Sequence, residues 1–178
     1  MHLKTDRLII RDFEKKDAIG LYEFLAHPSV HCFMDEKLES LEEAEKEVAR
    51  RSKGGEHFAV CLSDTDTMIG DLFAIKEGTD TYNVGWNFNL KYGKKGYASE
   101  AAKALFGHLF NSGARRIYAY TEDSNIPSQK LCERLGMRKE GLFMEFISFI
   151  KNQDGTPYYE NTYQYAILKR EWMEKTST

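Results

Sequence analysis

Along the chain, the spacing of apolar positions switches repeatedly between the two-residue period of strands and the roughly 3.6-residue period of helices. RLIIRDF (residues 7–13) predicts a first strand, followed by a helix capped by Asp17 and running to about Ala26. SLEEAEKEVARR (40–51) predicts a second helix, opened by a capping box between Ser40 and Glu43. The intervening HPSVHCFMDEK predicts a loop. HFAVCLSD (57–64) and TMIGDLFAIK (67–76) predict a hairpin across a short Asp/Thr turn, and YNVGWNFNL (82–90) adds an antiparallel neighbour. Next come a helix from Gly96 to about Asn111, a strand RRIYAYT (115–121) and a helix from about Ile126 to Leu135, stopped by Gly136. Two aromatic-rich strands follow near 139–149 and 158–169. The order is mixed α/β: helices, antiparallel strands, then a βαβαβ-like middle. Proline occurs three times and no Gly/Ser linker or repeat appears, so residues 1–178 are expected to form one domain.

Composition narrows the partners. With 178 residues, 42% hydrophobic and 13% aromatic, the chain can bury a real core without help from disulfides or metal. A net charge of -3 gives no electrostatic support for general nucleic-acid binding. No run of about 18 apolar residues and no secretory leader pattern appears, so neither membrane spanning nor secretion is expected. Cys32, Cys61 and Cys132 lie far apart without CxxC or paired-histidine spacing, which argues against a disulfide framework and a zinc site. A reducing cytoplasm and no metal are the expectation.

One local excess of positive charge stands out. KYGKKGYASEA (91–101) leads into a helix whose Ala98, Ala101, Ala102, Leu105, Phe106, Leu109 and Phe110 recur at helical spacing, so one face packs on a sheet. The first N–H groups of such a helix have no internal partner and carry the positive end of its dipole, which suits a phosphate. Gly93 and Gly96 remove bulk, Ala98 and Ser99 keep the first turn open, and Lys91, Lys94 and Lys95 add charge, so a polyphosphorylated ligand is expected. Neither the GxxxxGK[ST] loop nor the GxGxxG fingerprint is present. Alone, the stretch also reads as a solvated lysine-rich turn before an ordinary amphipathic helix.

The second motif decides between these. NIPSQKLCERLGM (125–137) follows RRIYAYT directly, and with it the chain resembles the GCN5-related N-acetyltransferase (GNAT) superfamily, specifically the ribosomal-protein N-terminal acetyltransferase type. The superfamily's (Gln/Arg)xxGx(Gly/Ala) signature maps onto Gly93 to Ala98, with the GYAxEA continuation at Gly96 to Ala101. NxxSxxxxEKxGF maps onto Asn125, Ser128, Glu133, Arg134, Gly136 and Met137. The resemblance extends through Leu3 to Arg11, His27-Pro28, Gly85-Trp86 and Tyr165 to Trp172. Departures are Gly93 for Gln, Arg or Trp, Lys94 for a common glycine, Asn83 for a common glutamate, and Cys132 where other branches place a catalytic tyrosine. The implied fold is a mixed, mostly antiparallel twisted sheet of about six to seven strands flanked by about four helices, with a splayed central strand pair at the acetyl-CoA site.

The resemblance implies transfer of an acetyl group from acetyl-CoA to a primary amine by direct attack in a ternary complex. Contacts to acetyl-CoA are expected from Lys94, Lys95, Gly96, Tyr97, Ala98, Ser99, Asn125 and Ser128, and the oxyanion is expected to meet the main-chain N–H groups of Phe88 and Leu90. Ser128 is the candidate acid for the departing thiolate, against a plain first-turn role, and Asn125 can hold pantetheine or cap the helix. Cys132, one turn on, is a weaker acid or a buried small hydrophobe. For the base, Glu122 and Asp71 rank ahead of Glu145 and of Glu100, which fits helix stabilisation better. An α-amine near pKa 8 deprotonates more readily than a lysine, which favours a protein N-terminus over a polyamine or aminoglycoside. A non-catalytic acyl-CoA sensor is the alternative from another class. His31, Phe33, Met34, Asp35 and Glu36 are expected to attract the amine, and Tyr158, Tyr159 and Tyr163 to line another wall or a dimer face, the protein being a monomer or homodimer.

Overall fold

In the computed structural model, which describes residues 1–176, the apolar runs become eight strands of one sheet. They are β1 (His2–Lys4), β2 (Leu8–Arg11), β3 (His57–Leu62), β4 (Met68–Glu77), β5 (Thr81–Phe88), β6 (Arg116–Glu122), β7 (Arg138–Lys151) and β8 (Pro157–Leu168). The helices are α1 (Ala18–Leu25), α2 (Leu41–Gly54), α3 (Tyr97–Asn111), α4 (Ile126–Arg134) and α5 (Lys169–Thr176). Short 3₁₀ turns form at Lys15–Asp17, His31–Glu36 and Leu90–Tyr92. The strand order is β1-β2-β3-β4-β5-β6-β8-β7, and only the β5–β6 pair is parallel. That pair is closed by the α3 crossover, as a parallel connection requires.

Two cores form because successive strand residues point to opposite faces. On one face Phe58, Val60, Leu72, Val84, Ile117, Ala119 and Tyr165 meet Ala101, Ala102, Leu105, Phe106 and Phe110 of α3 and Leu131 and Leu135 of α4. On the other, Ala59, Cys61 and Met68 meet Leu21 and Leu25 of α1 and Ala44 and Val48 of α2. The second core ends near β4, and only the 31–36 turn reaches onward towards β7. Half of the sheet therefore has a helix layer on one side alone.

Several boundaries depart from the sequence reading. Asp17 does not cap α1: its carboxylate forms a two-pronged ion pair with Arg11 (2.7 and 2.9 Å) and accepts the Glu14 N–H, tying β2 to the turn. The Ser40 cap forms as expected, accepting Glu43 N–H at 3.2 Å, but Glu43 reaches back to the N–H of Glu39 rather than Ser40. The last strand stops at Leu168. Glu171 accepts the Leu168 N–H, α5 begins, and Trp172 packs on Phe106 and Phe110 at 5.7 and 5.9 Å. The edge strand β1 is also additional, held by pairing with β2 from His2 to Lys4. No helix among the described residues is long and apolar enough to cross a membrane.

Candidate active site

The parallel pairing of β5 and β6 covers Thr81↔Arg116, Tyr82↔Ile117 and Asn83↔Tyr118, then stops, while β5 continues to Phe88 and β6 to Glu122. The strands part beyond Asn83, and the candidate site occupies this wedge. On the β4 side pairing is unbroken, and the Asn89 N–H reaches Ile69 C=O at 2.9 Å. Because donors alternate sides along a strand, the Phe88 N–H points away from β4 into the wedge. Among the described residues the Leu90 N–H has no backbone acceptor either. Both expected oxyanion donors are thus open amides at the mouth of the splay. Gly85 leaves room nearby for the Phe73 ring, which lies across it: a Cβ there would sit 2.2 Å from that ring.

The α3 entrance is shaped for anions. Gly96 takes the left-handed conformation (φ 82°) and its carbonyl accepts the Glu100 N–H at 3.0 Å, the first internal bond of α3. The N–H groups of Tyr97, Ala98 and Ser99 have no backbone acceptor among the described residues. Lys94 and Lys95 are exposed beside them. Lys94 is itself left-handed (φ 59°), a conformation that a glycine adopts freely and that costs a lysine about 1–2 kcal/mol. Glu100 fastens the loop. It accepts Thr5 Oγ1 at 2.7 Å and Arg7 Nε at 2.7 Å, while Arg7 also donates to Lys95 C=O at 3.0 Å and covers the Tyr97 ring at 4.6 Å. Burial raises the Glu100 pKa, but the bonds from Thr5 and Arg7 outweigh it and hold the carboxyl below its usual range. Glu100 is engaged with Thr5 and Arg7 of the β1–β2 connection.

Across the wedge, Asn125 caps α4 by accepting the Ser128 N–H at 3.2 Å. The Ser128 hydroxyl oxygen accepts the Trp86 indole N–H at 3.2 Å, a bond from α4 to β5 that spans the opening. A hydroxyl that accepts from an indole keeps its own hydrogen free to donate. Cys132 is fully buried, and burial pushes its thiol up to about 12, so it serves the core.

The carboxyl groups gather on the face towards α1 and α2. Asp71 on β4 lies opposite Asn87 and is 4% exposed. Its Oδ2 accepts Arg51 Nη1 at 2.8 Å, and Arg51 also holds Glu36 (2.6 Å) and Glu47 (2.7 Å). Burial works against the Arg51 charge, and these three carboxylates more than restore it. Glu122, at the end of β6, has no cation partner among the described residues. Cys32 of the 31–36 turn rests against it; burial, and then the Glu122 charge, push that thiol upward. His31 of the same turn meets Glu160 of β8 at 3.1 Å. The structure therefore brings Glu36, Asp71 and Glu122 around one turn. Asp35 is exposed, and Glu145 lies exposed on β7. Tyr163 packs over Tyr165 on the opposite face, under Lys139.

Trp86, Arg51, Glu160 and Arg7 were not singled out by sequence. Arg51 reads like its neighbour Arg50 within an amphipathic helix, and only burial separates them: Arg51 is 2% exposed. Arg7 and Trp86 sit inside the recognised motifs, so their side chains had a signal, though not a role.

A splayed parallel pair with open strand amides, flanked by a glycine-led helix entrance, defines an acyltransferase of the acetyl-CoA-binding class. Residues 7–138 match the acetyltransferase (GNAT) domain family, and the chain belongs to it. It is 39% identical over 176 residues to the uncharacterized N-acetyltransferase YnaD of Bacillus subtilis, covering 97% of this chain and 99% of that one. Its fold is similar to that of an acetyltransferase (GNAT family) from Bacillus anthracis, with a TM-score of 0.84, 34% identity, and 96% and 99% of the two chains covered. RimL, a ribosomal L7/L12 alpha-N-protein acetyltransferase solved with coenzyme A, shares the fold at 18% identity and TM-score 0.73, over 94% of this chain and 98% of its own. The protein is an acetyl-CoA-dependent N-acetyltransferase of this family.

Proposed function

We propose that the chain, acting as one domain, acetylates the free α-amine of a protein or peptide N-terminus. The observation that carries this reading is the convergence at one wedge of open α3 amides, the open Phe88 amide, the Trp86-bonded Ser128 hydroxyl and the cation-free Glu122. Acetyl-CoA supplies the acetyl group already activated as a thioester. The residues fit it: the unpaired N–H groups of Tyr97, Ala98 and Ser99 with Lys94 and Lys95 suit a pyrophosphate, and Asn125 and Ser128 flank the path of the pantetheine arm.

Each remaining residue has one task. Glu122 accepts the proton of the incoming ammonium, directly or through a water, and is favoured over Asp71 because Arg51 already occupies the Asp71 carboxylate. Phe88 and Leu90 N–H face the negative charge that grows on the acetyl oxygen. Such prepositioned donors commonly lower a barrier by about 3 kcal/mol. Ser128 donates its free hydrogen to the departing sulfur. An α-amine, near pKa 8, asks less of a single carboxylate than a lysine near 10.4 does. The name of RimL, whose acceptor is a protein N-terminus, is consistent with this acceptor class. Three free cysteines suit a reducing cytoplasm.

The test has two arms. Calorimetry should show acetyl-CoA binding at tens of micromolar or tighter. A thiol-release assay should then show turnover with free-N-terminus peptides and little with N-terminally blocked ones. Binding without turnover on any amine would replace the reading with an acyl-CoA sensor.

A further inference from the structure

Beside Glu122 lies a group of aromatic side chains that the reaction does not use. Tyr120 packs on Tyr118 (5.4 Å between centroids), Phe143 (6.2 Å) and Phe146 (5.7 Å), and the two phenylalanines touch at 5.1 Å. Tyr120, Phe143 and Phe146 are nevertheless 39, 38 and 49% exposed, on the face of that half of the sheet which no α-helix covers. Exposed aromatic side chains grouped on one face offer apolar surface that a ligand could cover.

The backbone is bent to build it. Residues 143 and 146 would point to opposite faces of a regular strand. Here Phe143 pairs with Thr162 and Ile147 with Glu160, so β7 advances by two more residues than β8. Glu145 takes up the difference in the left-handed region (φ 47°), its N–H bonded to Asn161 Oδ1 at 2.9 Å. Bulges of this sort re-aim side chains next to sites.

The patch adjoins acceptors short of donors. Tyr120 lies two residues before Glu122 on one strand face, about 7 Å along the strand. Phe143 pairs with Thr162, which pairs in turn with Glu122, so ring and carboxyl share a row across the sheet. On the same face Glu160, 5% exposed, leaves Oε2 without a hydrogen-bond partner, and buried Thr162 leaves its hydroxyl unpaired. The Asp71 corner has Arg51 as its cation, whereas among the described residues this corner has only His31, on Glu160.

We infer that the Tyr120–Phe143–Phe146 ledge selects the acceptor, and that it takes a peptide N-terminus whose first residue carries an aromatic or bulky aliphatic side chain. The inference rests on the reading of Glu122 as the carboxyl that meets the amine. An ammonium supplies three donors to the acceptor-rich corner, and the adjoining side chain covers the rings. A linear polyamine would satisfy the carboxyls and leave the rings bare. A second copy related by a two-fold axis through this patch would bring the Glu122 and Glu160 corners of both chains together, and among the described residues Glu122 has no cation to offset it, which like-charge repulsion opposes.

The experiment compares two peptides that differ only in the first residue, Phe or Gly, with spermidine as a third acceptor, for the parent and for Phe143→Ser/Phe146→Ser. The expected parent kcat/KM is about tenfold or more higher for the Phe peptide, within the range one apolar pocket can give. In the double variant that advantage falls to near parity through KM, with calorimetric acetyl-CoA affinity retained as proof of an intact fold. A preference for spermidine overturns both the inference and the N-terminal acetyltransferase reading, whereas equal kcat/KM for the two peptides, or an advantage that survives the double substitution, overturns the inference alone. So does a dimer that the substitutions dissociate while the Phe preference persists. Acetyl-CoA binding with no amine acetylated overturns both this and the N-terminal acetyltransferase reading.

Discussion

The two walls of the wedge are built on different principles. The α3 entrance offers backbone N–H groups, fixed by a helix whose apolar face is buried, and its key residues are consecutive. The proposed acceptor face is made of side chains from the 31–36 turn, β4, β6, β7 and β8, brought together by sheet register. A backbone cradle tolerates sequence change as long as φ and the first turn are preserved, so it can bind one cofactor across a family. A side-chain face changes with each substitution, so it can choose the acceptor. Perturbations of the first wall should move acetyl-CoA affinity, and those of the second should move turnover or acceptor KM.

The largest effect expected is on the acceptor face. Glu122→Gln preserves shape and removes the proton acceptor, so kcat should fall by about 10²- to 10⁴-fold in steady-state assays while acetyl-CoA affinity holds. A matching loss of acetyl-CoA affinity would break the division between the walls. On the entrance wall, Gly96→Val forces a β-branched residue to φ 82°, which disturbs the open amides. Calorimetry should register a loss of acetyl-CoA affinity of more than about tenfold, with acceptor KM little changed. Ser128→Ala sits between the walls. It should lower kcat about five- to tenfold, the worth of one hydrogen bond, and an unchanged kcat would confine Ser128 to bonding Trp86.

How much of this was legible follows the same division. The entrance could be read because its residues lie within KYGKKGYASEA and the helix period fixes which groups face outward. The strand amides at Phe88 and Leu90 were located through family likeness, and the early end of the β5–β6 ladder gives their openness a cause. The acceptor face was only partly visible. Glu122 and Asp71 stood out as carboxyls near strand ends, but nothing in the sequence distinguished them. That required Arg51, which is separated from Asp71 by twenty positions and buried against it. The Phe143–Phe146 pair was illegible for another reason: strict alternation puts these residues on opposite faces, and the irregularity at Glu145 has no glycine to announce it. Asp17 misled for a third, since a residue that suits a helix cap was taken by a buried arginine.

The smallest effect expected concerns support rather than chemistry. Arg50, and then Arg51 against the cost of burial, hold the Glu47 carboxyl down to about 2. A depressed folded-state pKa means stability that is present above the ordinary carboxyl value of 4.5 and is lost as pH falls towards about 2. Melting temperature against pH should therefore drop more steeply between these values for the parent than for Glu47→Gln. Equal slopes would remove Glu47 from the Arg51 clasp that supports the 31–36 turn.

Mass spectrometry of a peptide with a free N-terminus, incubated with acetyl-CoA and either the parent protein or Glu122→Gln, tests the central claim most directly. The account predicts an acetylated N-terminus and an equal amount of released thiol with the parent, and almost no product with Glu122→Gln despite undiminished acetyl-CoA binding. An unmodified peptide with a folded, acetyl-CoA-bound parent, or full activity in Glu122→Gln, would contradict it.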